Sequence, residues 1–334
     1  MKQIFFKACV ECFTFNHAPY IVESMHGFTM QQTTFPFVCI IVDDASTDGE
    51  PEVIRRFLRD NFDSENDGVA YTEETNDYIL CFAQHKTNKK CYFAVYFLKY
   101  NHFNVKKSKM PYIENWQDKT EYTALCEGDD YWTDSLKLQK QVDFLESHNY
   151  YSATTSNALV IRPSSKKLFG TTNNKDIEKI KELVDKRQFH TATVVFRTSA
   201  LLNCPYYGKG RWDTFIWCCL LTQGPIHYEG EVTCVYRKQG QGVTDATSRI
   251  NWISTVSKWG DTLMECFVPQ YVQRKDIVRS VTRNIILIYF AKGNILTSAD
   301  KKKIRELYRH NFSIWNVFHD IRVVMIVNIK KLFK

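Results

Sequence analysis

The sequence predicts a doubly wound α/β fold, a mostly parallel sheet flanked by helices. Three observations carry that expectation. Continuous apolar runs, such as Phe37-Val38-Cys39-Ile40-Ile41-Val42, suit central strands covered on both faces. Helical stretches follow, with Pro19 and Pro51 at their starts. Three polar clusters, at 14–17, 43–48 and 127–130, each close an apolar run. Such sheets bind ligands at the carboxyl ends of their strands, so three clusters on one edge predict one site.

The elements follow in order. Residues 4–15 read as a buried strand, 20–31 as a helix, 37–42 as a central strand and 52–61 as a helix. Residues 63–77 read as an acidic loop, 89–100 as a helix and 103–119 as an irregular insertion. A strand at 121–126 and a helix at 135–147 come next. Then follow a strand at 152–161, a polar loop at 162–175 and a helix near 176–185. A strand at 191–197, a turn at 203–211 and a helix at 212–221 precede short strands at 226–228 and 232–237. From about 247 the pattern is helical. The expected organisation is a catalytic domain at 1–240 and a helical extension at 241–334. No internal repeat or low-complexity segment is present.

With 334 residues, 44% hydrophobic and 14% aromatic, the chain can build a large core. Charged residues at 24% speak against global disorder. The formal charge of +7 is modest and gathers toward the C-terminus. Basic residues are not interleaved with aromatics along a sheet face, which disfavours nucleic-acid binding. The eleven cysteines follow no framework of spacings, and Cys39, Cys81, Cys218, Cys219 and Cys234 sit in apolar runs. They read as buried, reduced thiols of a cytosolic protein. Cys9 and Cys12 form a CxxC inside an apolar run with no second pair, a weak zinc or redox signal. Neither a signal-peptide core nor an apolar run long enough to span a bilayer is visible, so the expected location is cytoplasmic.

The stretch Cys126-Glu127-Gly128-Asp129-Asp130-Tyr131-Trp132 is the most informative. Adjacent carboxylates raise the cost of ionising one another. The pair either caps the next helix or meets a divalent cation that holds a diphosphate. In Asp43-Asp44-Ala45-Ser46-Thr47-Asp48, a carboxylate can accept a hydrogen bond from a base N–H or a ribose hydroxyl, or the loop is simply a cap. No GxGxxG and no GxxxxGK[ST] occurs, which argues against dinucleotide dehydrogenases and P-loop NTPases. A bound nucleotide diphosphate would then need a cation to meet its charge.

Thr14-Phe15-Asn16-His17-Ala18-Pro19-Tyr20-Ile21, Val42-Asp43-Asp44-Ala45-Ser46-Thr47-Asp48-Gly49 and Glu127-Gly128-Asp129-Asp130-Tyr131-Trp132-Thr133-Asp134, with Lys137-Leu138-Gln139-Lys140-Gln141, together resemble glycosyltransferase family 2. The resemblance covers roughly residues 1–240 and implies a GT-A fold and inverting transfer from a nucleotide sugar. It implies that Phe15 borders the uracil, with Thr14 and Asn16 near the nucleotide. Asp44 pairs with the uracil N–H, with Asp43 the adjacent alternative. Asp129 and Asp130 match the metal motif, Asp130 being the expected direct ligand to Mn²⁺ or Mg²⁺. Asp213, in Gly210-Arg211-Trp212-Asp213, matches the catalytic base. His190 and Thr191, on the strand that lines the sugar pocket, are expected to contact substrate, as are Trp132 and Trp212. Arg237 and Lys238, in a closing loop that runs to Val243, are expected to meet phosphate. Gln239 stands where many relatives carry a histidine, leaving a third protein ligand to the metal open.

The tail 301–334 combines basic and apolar residues: Lys301-Lys302-Lys303, Phe312, Ile314, Trp315, Phe318, Ile321 and Lys330-Lys331-Leu332-Phe333-Lys334. It suits an amphipathic helix at an anionic membrane surface, or a helix packed on the protein or in a dimer. The leading expectation is a metal-dependent transferase moving sugar from a UDP-sugar to a hydroxyl of a glycan or lipid-linked acceptor in surface-polysaccharide synthesis. The alternatives are a nucleotidyltransferase and a non-catalytic glycan-binding protein on the same fold.

Overall fold

The computed structural model describes residues 4–63, 70–169, 175–238, 249–291 and 297–332. The chain divides into two compact units. One comprises Met1–Asp176, Phe189–Asn203 and Gln223–Arg237; the other comprises Ile177–Gln188, Cys204–Thr222 and Lys238–Lys334.

The first unit is built on one twelve-stranded sheet. Its parallel centre is β1 (Ala8–Thr14), β2 (Phe37–Asp43), β6 (Cys91–Leu98) and β7 (Tyr122–Leu125), in the order β6-β2-β1-β7. On the β6 side, β5 (Tyr78–His85) pairs antiparallel and in turn carries β3 (Phe62–Asp63) and β4 (Ala70–Glu74). On the β7 side come β11 (Val195–Arg197), β9 (Ala153–Arg162), β12 (Ile226–Arg237) and β8 (Tyr131–Trp132), with β10 (Ser165–Leu168) paired to β9. The chain runs outward from β1 through β2 to β6 and returns across to β7. The winding therefore reverses beside the carboxyl end of β1, the place where sheets of this kind bind ligands.

Strand alternation produces two cores. Val10, Cys12, Phe37, Cys39, Ile41, Phe93 and Val95 face one side; Val38, Ile40, Val42, Tyr92, Ala94 and Tyr96 face the other. The first face is covered by α1 (Ile21–Thr29), α2 (Glu50–Asn61) and α4 (Lys137–Ser147) through Met25, Phe28, Ile54, Phe57, Leu138 and Val142. The second is covered by α3 (Met110–Gln117) through Tyr112 and Ile113. Burying each such side chain contributes about 1.5–3 kcal/mol.

Several elements differ from expectation. The expected helix at 89–100 is strand β6. Its sequence, Cys91-Tyr92-Phe93-Ala94-Val95-Tyr96-Phe97-Leu98, is buried throughout, and a run apolar on both faces has no periodicity to separate helix from strand. The acidic loop at 63–77 contains β4, whose partner β5 was not anticipated. The insertion at 103–119 contains α3, with Pro111 in its first turn. Residues 191–193 form a 3-10 turn before the short β11. The loop at 162–175 contains β10. The two strands expected at 226–237 are one strand interrupted by register shifts. Cys9 and Cys12 lie in opposite cores, so the CxxC cannot converge on one metal. All eleven cysteines are free thiols, and ten are buried.

The second unit is helical. It contains α5 (Ile180–Asp185), α6 (Asp213–Leu221), α7 (Arg249–Phe267), α8 (Arg274–Ala291), α9 (Ser298–His310) and α10 (Val317–Leu332). α8 packs against α5, α7, α9 and α10. Asp320 is buried and joins three helices, accepting from Thr282 Oγ1 at 3.1 Å and Tyr308 Oη at 2.7 Å. Thr297 and Asp300 form a reciprocal cap on α9. Among the described residues no helix is long and apolar enough to cross a membrane.

Candidate functional site

The loop after β1 is fastened to the loop after β2 by Glu50, a buried carboxylate that sequence inspection did not single out. It accepts from Thr14 Oγ1, from the His17 N–H at 2.8 Å and from Ser46 Oγ at 2.9 Å. Asn16 sits in the left-handed region at φ 56°, which asparagine tolerates. Its N–H donates to Ser46 Oγ at 2.8 Å, and its Oδ1 accepts from the Thr47 N–H at 2.8 Å. The Ala18 N–H donates to Asp48 Oδ2 at 2.9 Å. Thr14 and Asn16 thus shape the loops with their side chains. Phe15 is left 41% exposed at the strand end, the placement that suits an aromatic bordering a base.

Asp43 and Asp44 are both buried but differently served. Asp43 accepts from the Ser46 N–H at 3.2 Å, and burial pushes its carboxyl up to about 6. Asp44 accepts from the His102 N–H at 2.6 Å, the Phe103 N–H at 3.3 Å and Lys109 Nζ at 2.9 Å. Its carboxylate is thereby committed to the segment 102–109, which reads as an irregular insertion in the sequence. Of the two, Asp43 is the one with a single described side-chain contact.

The acidic loop after β7 lies against the β1 loop. A Cβ on Gly128 would fall 2.1 Å from Thr14 Oγ1, so only glycine fits. Ser24 Oγ, from α1, donates to the Gly128 carbonyl at 2.9 Å and the Asp130 carbonyl at 2.5 Å, pinning the loop from below. Asp130 points inward. Its Oδ1 accepts the Arg237 N–H at 2.9 Å, and its Oδ2 lies 3.5 Å from His190 Nε2. The Ala192 N–H donates to His190 Nδ1 at 3.2 Å, so a neutral His190 carries its proton on Nε2, toward Asp130. Burial, followed by Asp129 and Glu127, raises the Asp130 carboxyl well above the usual carboxylate range. Glu127 and Asp129 are half-buried, one on each side of Gly128. The Asp129 carboxylate has no hydrogen-bond partner among the described residues. The geometry therefore favours Asp129 over Asp130 as the carboxylate open to a cation.

Other expected contacts fall elsewhere. Trp132 is 1% exposed, packs edge-on to Phe28 and donates its indole N–H to the Ala192 carbonyl at 2.9 Å. It is a core residue, and the substrate contact expected of it is corrected accordingly. Arg237 lies over Tyr131, 4.3 Å from the ring centre, donates to the Asp129 carbonyl at 2.7 Å and pairs with Glu23. Its guanidinium is a clamp between β12, the acidic loop and α1. His190 stacks on Tyr236 at 4.0 Å. Thr191 opens the adjacent 3-10 turn. Gln239 to Val243 of the expected closing loop lie outside the described residues.

In the second unit, Asp213 is the first residue of α6. Its side chain is 37% exposed, with Arg187 Nη2 3.5 Å from Oδ2. Trp212 stacks on Trp259 at 4.9 Å and 6°. Lys238 is exposed.

A hard divalent cation fits the donor chemistry of the acidic loop, which offers carboxylate oxygens. Among the described residues no three His, Cys, Asp or Glu side chains converge as a metal cage.

No family model matches the chain. Over 140 residues, 40% of the chain, it is 33% identical to uncharacterised proteins of Mycobacterium tuberculosis and Mycobacterium bovis. The match spans 30% of their length. Among solved structures it resembles S. aureus TarS 1–349 in complex with UDP-GlcNAc, with a TM-score of 0.60 and 12% identity over 90% of this chain and 79% of that one. The S. aureus TarS structure of greater length gives a TM-score of 0.58 at 12% identity, covering 92% of this chain and 49% of that one. At such identity the likeness is one of fold: an α/β sheet with a parallel centre, flanked by helices and followed by a helical C-terminal region.

Proposed function

We propose that this protein is an inverting, metal-dependent glycosyltransferase of the family 2 kind. It would take a sugar from a UDP-activated donor and pass it to a hydroxyl of a glycan or lipid-linked acceptor in surface-polysaccharide synthesis. One observation carries the reading: the carboxyl ends of the neighbouring strands β1, β2 and β7 bring an exposed Phe15, a buried Asp43 and the Glu127-Gly128-Asp129 loop to one edge of the sheet. Support comes from the shared fold with a protein solved in complex with UDP-GlcNAc.

In this reading Phe15 borders the base and Asp43 accepts from it or from the ribose, while Asp44 holds the segment 102–109 in place. Asp129, aided by Glu127, holds Mn²⁺ or Mg²⁺. When bound, the ion offsets the charge of the departing nucleotide diphosphate. Asp130, His190 and Arg237 position that loop from behind. Asp213 takes the proton from the acceptor hydroxyl as it attacks the anomeric carbon.

Thermal unfolding tests the binding half. UDP with Mn²⁺ raises Tm by about 5 °C or more at saturation, and UDP with chelator gives little shift. Asp129→Ala removes the metal-dependent shift; a full shift in that variant would take the ion away from Asp129. The transfer half is read by UDP release across a panel of nucleotide sugars. Asp213→Asn keeps the thermal shift and loses turnover, whereas retained turnover excludes Asp213 as base. A protein that binds UDP with metal but releases none from any donor and acceptor would be the non-catalytic alternative.

A further inference from the structure

We infer that the end of the second unit is a docking surface for an anionic lipid bilayer. The inference stands on exposure and charge, independently of the glycosyl-transfer reading. Between α9 and α10 the chain presents Ile314 and Trp315 at 72% and 81% exposure, and the first turn of α10 presents Phe318 at 87%. Phe312, Ile321, Met325 and Ile326 extend this apolar surface along α10. Large side chains this exposed, this close together, mark an interaction site. α10 already uses its opposite side, where Val323 is buried beside Ile286. The outward apolar side thus exceeds what the helix needs to pack.

The surface continues inward. A cavity of about 520 Å³ lies between α8, α9 and α10, lined by apolar side chains such as Ile285, Phe290 and Val324 and bordered by Arg305 and Arg309. An acyl chain fits a space of this chemistry.

Charge selects the partner. Lys302, Lys303, Arg305 and Arg309 on α9 and Arg322 on α10 are exposed, and Arg305 and Arg309 border the apolar cavity itself. Against them stand the exposed Glu306 and, beside Phe312 and Trp315, Asp261 and Glu265. Asp261 lies 3.3 Å from His310 Nε2 and Glu265 is paired with Lys209 at 2.7 Å, while Arg274 and Lys275 border the same place. Asp320 is buried on Thr282 and Tyr308, and Asp300 is engaged in the cap of α9. A second copy of the same basic surface would repel this one. A bilayer with anionic headgroups would meet both the apolar tip and the basic rim, with Trp315 at the depth indoles favour.

Vesicle co-sedimentation of the full chain tests this. Wild type should bind phosphatidylcholine vesicles containing phosphatidylglycerol and bind pure phosphatidylcholine about ten-fold or more weakly, with the preference falling as salt rises. Trp315→Ala with Phe318→Ala should lower binding about ten-fold or more at unchanged Tm, because both side chains are exposed. Arg305→Glu with Arg309→Glu should remove the preference for anionic vesicles. Equal binding by wild type and the aromatic variant overturns the proposal, as does equal binding to neutral and anionic vesicles. A dimer in solution that the aromatic variant dissociates would assign the surface to a second copy instead.

Discussion

Lys137 shows how far a single residue can depart from its ordinary chemistry. It is fully buried, its Nζ 2.5 Å from Gln141 Oε1 and 4.5 Å from the centre of the Trp132 ring. Burial lowers its pKa from 10.5 to about 8. Between those values the unfolded chain binds more protons than the native one, so stability rises with pH there and the burial cost is full at pH 7. Lys137→Met should therefore stabilise the protein by about 1–2 kcal/mol at pH 7. The gain should shrink from pH 8 upward and be lost near 10.5; urea titrations across that range read it. Asp43 has the opposite sign. Its carboxyl is raised from 3.8 to about 6, so stability falls as pH rises through that window, and Asp43→Asn should flatten the fall. The sequence shows both residues but neither environment, because burial is set by elements remote in the chain.

Loop–loop contacts at the element scale rest on two residues of different visibility. Gly128 stands in a readable motif, and the Cβ distance of 2.1 Å to Thr14 Oγ1 explains the need for glycine. Gly128→Ala should cost about 1–3 kcal/mol and weaken UDP binding by separating the β1 and β7 loops. Calorimetry of the variant with UDP and Mn²⁺ checks this, and unchanged affinity would uncouple the loops from binding. Glu50 stands in no readable motif; it is an acid in the first turn of α2. Its partners Thr14, His17 and Ser46 come from two loops, so Glu50→Ala strands several polar groups at a cost of about 2–4 kcal/mol, while Glu50→Gln should recover part of it. Strand β6 was misread for a related reason: a segment buried on both faces carries no period.

The whole molecule divides into an α/β unit and a helical unit, each with its own chemistry. If the first unit binds the nucleotide as proposed, hydrogen exchange should slow at 14–17, 43–48 and 127–130 on adding UDP with Mn²⁺, and not with UDP plus chelator. Protection confined to the helical unit would place the nucleotide elsewhere. Anionic vesicles should instead slow exchange around 312–326, a separate readout on a separate surface.

By itself the sequence determined the doubly wound class, the strands β1, β2 and β7, and the three polar clusters at their ends. These are local properties: continuous apolar runs, proline at helix starts, and acidic residues where a run stops. Tertiary structure alone decided the surroundings of each residue inside a cluster. Asp129 and Asp130 are neighbours of one type, yet one is half-buried and the other is fully buried against His190 and Arg237. Asp43 and Asp44 are separated in the same way, the second taken by His102, Phe103 and Lys109. Trp132 reads as a pocket aromatic and packs in the core. Which of two adjacent side chains meets solvent depends on the direction of the backbone as it leaves the strand and on partners far away in sequence, and no local pattern records either.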